Sequence, residues 1–208
     1  MPDRPSVNPS PIELLRPEAE AIEAFLASVP ARVIVVIDEA YNEYLPPERR
    51  FDSVLWVRKF PNLLIARTFS KAYGLAGLRV GYGIAQTELT DLLNRVRQPF
   101  NVNAAAQAAA VAALSDAEFL DESYRLNYRG TQQLNDAFRS LGLEYVPSFG
   151  NFVLVKVGDA SRTYQQLLKR GVIVRPVDNY GLPEWLRVTV GLPEENSRFI
   201  EALKAALG

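Results

Sequence analysis

Residues 33–37, Val-Ile-Val-Val-Ile, constrain the fold of this 208-residue chain more than any other stretch. Five β-branched residues in a row suit a pleated strand. A run without polar alternation suits a strand covered on both faces, as in a parallel sheet. It stops at Asp38 and Glu39, so two carboxylates sit at the strand's carboxyl end. In open α/β sheets that end is where ligands bind. Residues 63–66 and 80–84 read as two more strands, with 67–74 as a polar loop between them.

From Asn103 onward the pattern is helical, alanine-rich over 104–114 and long and amphipathic over 116–141. Past Gly142 the units shorten. Strands are expected at 143–146, 152–157, 172–177 and 185–190, and helices at 161–170, closed by Gly171, and at 194–207. This order predicts α/β structure first and α+β structure second. Five of the 14 prolines fall within the first 17 residues, which opposes regular structure there. The expected organisation is an irregular lead over 1–17, a first domain over 18–115 and a second over 116–208. A helix is expected to open at Pro17 and run to Ser28.

Composition restricts the chemistry sharply. The chain has no histidine and no cysteine, which excludes disulfides, thiolate and imidazole metal sites, cysteine nucleophiles and Ser-His-Asp triads. No metal site is expected. A net charge of -1 removes the electrostatic case for nucleic acid. No run of about 18 apolar residues is present, so no membrane helix is expected. Asp3 and Arg4 precede no apolar segment of the secretory kind, and a cytoplasmic location is expected. Catalysis, if any, falls to Lys, Asp, Glu, Tyr, Ser, Thr and Arg, or to a cofactor.

Lys71 stands out by context, with Thr68 and Ser70 before it and Gly74, Gly77 and Arg79 after it. Hydroxyls, glycines and an arginine can cradle a phosphate. Beside one, a lysine is a point charge or an amine that condenses with a carbonyl. The plainer alternative is a solvated loop lysine. Asp38 either faces a ligand at the strand end, with Tyr41 three residues on, or caps a turn. Arg187, inside the apolar stretch 185–190, should share a face with Trp185 and Thr189. There it either grips a carboxylate or lies on the open face of an edge strand. Arg175 poses the same choice.

Taken together, Asp38-Glu39-Ala40-Tyr41, the stretch from Thr68 to Gly81 and Leu186-Arg187-Val188-Thr189-Val190-Gly191 resemble the class I/II aminotransferases. These are pyridoxal 5'-phosphate enzymes of fold type I. Residues 97–103 and 148–152 resemble the histidinol-phosphate aminotransferase branch, and the likeness runs from about residue 18 to the C-terminus. It implies an α/β fold in which an incomplete large-domain sheet precedes an α+β small domain. The implied roles follow motif by motif. Lys71 would bind the cofactor through its amine and then shuttle a proton. Asp38 would pair with the pyridine nitrogen, and Tyr41 would donate to the ring oxygen. Thr68, Ser70 and Arg79 would hold the phosphate. Arg187, with Arg175 and Asn151, would bind the substrate.

The implied reaction moves an amine from histidinol phosphate or a related L-amino compound to 2-oxoglutarate, a step of histidine biosynthesis, in a homodimer. Family members are longer, so the chain is expected to correspond to their C-terminal portion. Strand 33–37 is then expected to have an open apolar edge. The alternative expectation is a truncated, non-catalytic remnant that serves as an interaction module.

Overall fold

The computed structural model describes residues 19–208. The expected lead over 1–17 and the helix start at Pro17 lie outside these residues. The described chain forms two compact units, divided between Arg125 and Leu126.

The first unit opens with helix α1 (Ala19–Ser28) and strand β1 (Val35–Asp38). After two short 3-10 turns come α2 (Val54–Lys59), β2 (Leu63–Thr68) and, past a loop, β3 (Gly81–Ile84). Helices α3 (Thr87–Val96), α4 (Ala104–Leu114) and the start of α5 (Ala117–Ser140) complete it. The sheet order is β1-β2-β3, with β1 parallel and β3 antiparallel to β2. Val35 and Ile37 join Leu26, Trp56, Leu63 and Ile65 in a core under α1 and α2.

The expectation that 33–37 is covered on both faces does not hold. Val36 is 56% exposed, and Val33 and Ile34 precede the strand and are exposed as well. The reason is positional. β1 is an edge strand, and Val36 alternates away from the face that packs on α1 and α2. The reading of 67–74 as loop is corrected at its start. Arg67 and Thr68 pair with Tyr82 and Gly81, so β2 runs two residues further than its apolar content suggests.

A second cluster in this unit gathers Phe69, Val80, Ala106 and Ala110. α4 approaches closely because it is almost all alanine. It begins where Asn103 caps it, with the Asn103 side chain accepting from the Ala106 amide at 2.8 Å.

The second unit holds the rest of α5, β4 (Tyr145–Val146), β5 (Phe152–Lys156), α6 (Ala160–Lys169), β6 (Arg175–Val177), β7 (Leu182–Thr189) and α7 (Pro193–Leu207). Its sheet is antiparallel throughout, in the order β4-β5-β7-β6. Val153, Val155, Leu186 and Val188 face Leu134, Phe138, Leu167, Phe199 and Leu203 of the helices. Leu154, Trp185 and Val177 point to the other side with Val146. Strands β4 and β6 are shorter than expected. Residues 172–174 leave Gly171, which holds φ +71, without pairing to β7.

Gly130 lies mid-helix in α5 because a Cβ there would stand 2.5 Å from the Val190 side chain. No described helix is long and apolar enough to cross a membrane.

Candidate active site

The candidate residues of the first unit gather at the carboxyl ends of β1 and β2. Asp38 lies opposite Ala66 in the parallel ladder, two residues before Thr68. Its Oδ1 accepts the Ala40 amide at 3.0 Å, so the turn-capping reading of Asp38 is realised. Capping engages one carboxylate oxygen and does not exclude a ligand on the exposed group. The turn carries the chain round to Tyr41. The Lys71 ammonium sits over the Tyr41 ring, with Nζ 5.4 Å from its centroid. At that range the ring face attracts a cation.

The loop that presents Lys71 is pinned on both sides. Phe69 and Ala72 are buried beneath it, and Phe69 packs on the rings of Tyr73 and Tyr82 at 4.9 and 5.5 Å. The Ser123 hydroxyl of α5 donates to the Ala72 carbonyl at 3.1 Å. The Thr68 hydroxyl accepts the Ser70 amide at 3.1 Å. The Gly74 amide donates back to the Lys71 carbonyl at 2.9 Å, and Gly74 takes φ +70 to close the turn. These bonds turn the loop tightly, with Ser70 and Lys71 only half-buried.

Arg79 follows a 3-10 turn (Ala76–Leu78) and adopts φ +54, a left-handed conformation uncommon without glycine. Its Nη1 donates to the Ala76 carbonyl at 2.8 Å, and the side chain is exposed. On this face of the sheet Ala66, Gly81 and Gly83 carry little or no side chain. Leu64 shares this face, its Cδ1 2.9 Å from where a Cβ on Gly83 would stand, so side-chain bulk is smallest at Ala66 and Gly81, beside Asp38 and Thr68.

One ion pair was missed at the level of the sequence. Glu39, 4% exposed, accepts from Arg67 Nε at 3.0 Å, and Arg67 Nη2 lies 2.9 Å from the same oxygen in an ion pair. Nη2 also reaches the buried Ser53 hydroxyl at 3.4 Å. Burial works against the Arg67 charge, but hydrogen bonds with Tyr82 and Glu39 outweigh it and hold its pKa above the ordinary value. The available signal was an acidic residue directly after Asp38 and an arginine directly before Thr68. Burial likewise raises the Tyr73 and Tyr44 phenols and the Glu43 carboxyl.

In the second unit Arg187 and Arg175 are direct cross-strand partners on β7 and β6. Like charges in that register repel. The Arg187 guanidinium lies 4.9 Å from the Phe152 ring centroid, and its Nε is buried with no hydrogen-bond partner. A buried donor left unmade is costly, and an anion that accepted from it would relieve both the orphan and the repulsion. Arg175 is exposed, with Nη2 3.4 Å from the Tyr180 hydroxyl. Asn151 precedes β5, and its carbonyl accepts the Val190 amide at 2.9 Å.

Among the described residues no cluster of acidic groups could hold a metal ion. A groove of about 480 Å³ bounded by Asn94, Arg97, Phe100 and Gln107 is lined by none of the candidate residues.

Comparison with known proteins agrees with the motif pattern. The family described as aminotransferase class I and II matches residues 16–203. The chain belongs to this family.

Histidinol-phosphate aminotransferase 2 of Ralstonia nicotianae is 67% identical over 193 residues, which is 91% of this chain and 52% of the relative. The histidinol-phosphate aminotransferase of Methylobacillus flagellatus is 57% identical over 96% of this chain and 54% of its own length. The chain thus spans about half the length of the curated relatives it matches. Among solved structures, histidinol-phosphate aminotransferase from Sinorhizobium meliloti, in complex with pyridoxal-5'-phosphate, superposes with a TM-score of 0.83 at 31% identity. That match covers 91% of this chain and 53% of the other. The fold is therefore the α/β fold of these aminotransferases, over the portion matched.

Proposed function

We propose that this chain carries the cofactor and substrate residues of a pyridoxal-phosphate-dependent histidinol-phosphate aminotransferase. The observation that carries the reading is the placement of the Lys71 amine over Tyr41, beside the strand ends that bear Asp38 and Thr68. The donor set suits a phosphorylated pyridine aldehyde. It offers an amine, a carboxylate at a strand end, hydroxyls, and a guanidinium in the loop that leads to Gly81.

In this reading Thr68, Ser70 and Arg79 bind the phosphate, and Tyr41 donates to the ring's hydroxyl oxygen. Asp38 holds a proton on the ring nitrogen. The cofactor, when bound, supplies the electron sink that makes a carbon next to nitrogen acidic. Lys71 Nζ would hold the cofactor through its aldehyde and, once displaced by the substrate's amine, would be the free base that takes and returns the proton at that carbon. A lysine beside a delocalised cation can serve as a base near neutrality, so no histidine is needed. Arg187 would donate to a carboxylate side-on through its orphan Nε and one Nη, with Arg175 and Asn151 as further substrate contacts.

The partners are then an amino donor, histidinol phosphate or a related L-amino compound, and 2-oxoglutarate as acceptor. The setting is cytoplasmic histidine biosynthesis. A homodimer is the expected assembly, and the exposed Val96 and Phe100 supply apolar surface for it.

The test is borohydride reduction of the protein mixed with pyridoxal phosphate, followed by peptide mass spectrometry. A stable adduct on Lys71 that is lost in Lys71→Ala is the expected result. Amino transfer from histidinol phosphate should fall by roughly 10⁴-fold or more in that variant, since it removes both anchor and base. Exposed Ile34 and Val36 favour a second reading, a non-catalytic interaction module. Labelling that is absent, or scattered over Lys59, Lys156, Lys169 and Lys204, would select that alternative.

A further inference from the structure

We infer that the ion pair of buried Glu39 with half-buried Arg67 is a positioning device that fixes the two strand ends of the candidate cofactor site. The inference rests on the function proposed above. At the end of β1, Asp38 and Glu39 are consecutive and diverge. Asp38 stays exposed on the sheet face that also carries Val36, while the Glu39 carboxylate is buried. At the end of β2 the same division recurs. Thr68 lies on the face with Gly81, while Arg67 points to the other side with Tyr82. Each strand therefore sends one residue to the candidate site and its chain neighbour, after it on β1 and before it on β2, to a shared ion pair.

Oε2 of Glu39 accepts from Arg67 Nε at 3.0 Å, with Nη2 2.9 Å away in the ion pair. The Glu39 amide also donates to the Ala66 carbonyl at 2.9 Å, which extends the parallel ladder past Asp38. Nη2 continues to the Ser53 hydroxyl, which ties the pair to the N-terminus of α2.

A buried ion pair is a poor device for stability, because well-packed apolar residues in its place are often neutral or better. It is a good device for register, because a planar guanidinium accepts a partner in few geometries. Register is what a site split across two strand ends requires. A slip of β1 against β2 would move Asp38 and Tyr41 relative to Thr68 and Lys71. A displacement of about 1 Å is enough to cost a site much of its effect.

The experiment compares the full chain with the double variant Glu39→Leu/Arg67→Met and with Arg67→Lys. Three quantities are measured: the melting temperature, pyridoxal phosphate binding by absorbance, and amide exchange at residues 38–41 and 68–71. The double variant should melt within a few degrees of the parent, as charge-free replacement predicts. It should nevertheless bind pyridoxal phosphate about tenfold more weakly and exchange those amides about tenfold faster. Arg67→Lys keeps the charge but loses the fork, so it should fold and show intermediate values.

Unchanged exchange and unchanged binding in a folded variant would overturn the inference. So would a lowered melting temperature with neither site readout altered, since the pair would then be structural alone. If Arg67→Lys folds and the double variant does not, the lysine variant decides by the same readouts. A parent chain that binds no pyridoxal phosphate would count against the proposed function. The exchange comparison would still decide whether the pair holds the strand ends.

Discussion

Glu43 shows how a single side chain beside the site sets a pH dependence. Burial raises its pKa above the ordinary value of 4.5, and proximity to Glu39 adds to that, while its own backbone, Arg67 and Arg50 pull the other way. A carboxyl with a raised pKa in the folded state binds more protons folded than unfolded between the two pKa values. Stability contributed by this group is therefore lost as pH rises through that window. Replacing it with the isosteric neutral amide should remove the loss. Glu43→Gln is expected to melt above the parent at pH 7, with the gap closing as pH falls toward 4.5. Thermal melts at half-unit pH steps check this, and a gap that stays constant with pH would contradict it. The same buried neighbourhood was only half legible in the sequence. Asp38, Tyr41 and Lys71 announce themselves by motif; Glu39 and Arg67 stand directly beside motif residues, but nothing in their spacing along the chain says that they turn inward and meet.

Among the elements, β1 combines the most obvious sequence signal with the largest correction. Its β-branched composition makes it a strand, and the structure keeps it one. Composition reports the environment a strand suits, not the neighbours it has, so the exposure of Val36 was not readable from the run itself. An edge strand with an outward apolar residue is a template for pairing with another chain. Val36→Lys should therefore reduce self-association of the isolated chain without unfolding it, because Val36 lies outside the core formed by Val35 and Ile37. Sedimentation across a concentration series would show a lower weight-average mass for the variant. An unchanged mass would move the association to another surface.

Helix α4 is the opposite case. The helical pattern from Asn103 and the alanine-rich run over 104–114 mark it in the sequence, and the observed helix covers that run. Arg67 and Thr68 went to the loop because polar residues at a strand end look like loop until the β3 pairing is known. The short α2 carries only six residues, too few for a helical period to show.

For the molecule as a whole, the division into two units sorts the candidate residues by chemistry. Asp38, Tyr41, Thr68, Ser70, Lys71 and Arg79 belong to the unit ending at Arg125, and Asn151, Arg175 and Arg187 to the one beginning at Leu126. If the proposed roles hold, two ligands should leave separate footprints on one chain. Pyridoxal phosphate at about 100 times its dissociation constant should add roughly 2.7 kcal/mol to the folded state. It should slow amide exchange at the ends of β1 and β2 and through the Lys71 loop, and Lys71→Ala should lose most of that protection. A dicarboxylate such as 2-oxoglutarate should act on β6 and β7 instead, where two arginines face each other across the ladder and one carries an orphan donor. Arg187→Met, which keeps bulk and removes the charge, should abolish that second footprint and leave the first. Exchange followed peptide by peptide, with each ligand alone and then both, reads the two effects independently. Equal protection of Lys71→Ala by pyridoxal phosphate would place the cofactor elsewhere, and protection of β6 and β7 surviving Arg187→Met would take the carboxylate away from that arginine. Because the chain matches only about half the length of its relatives, the size of each footprint also measures how much of the binding this half supplies.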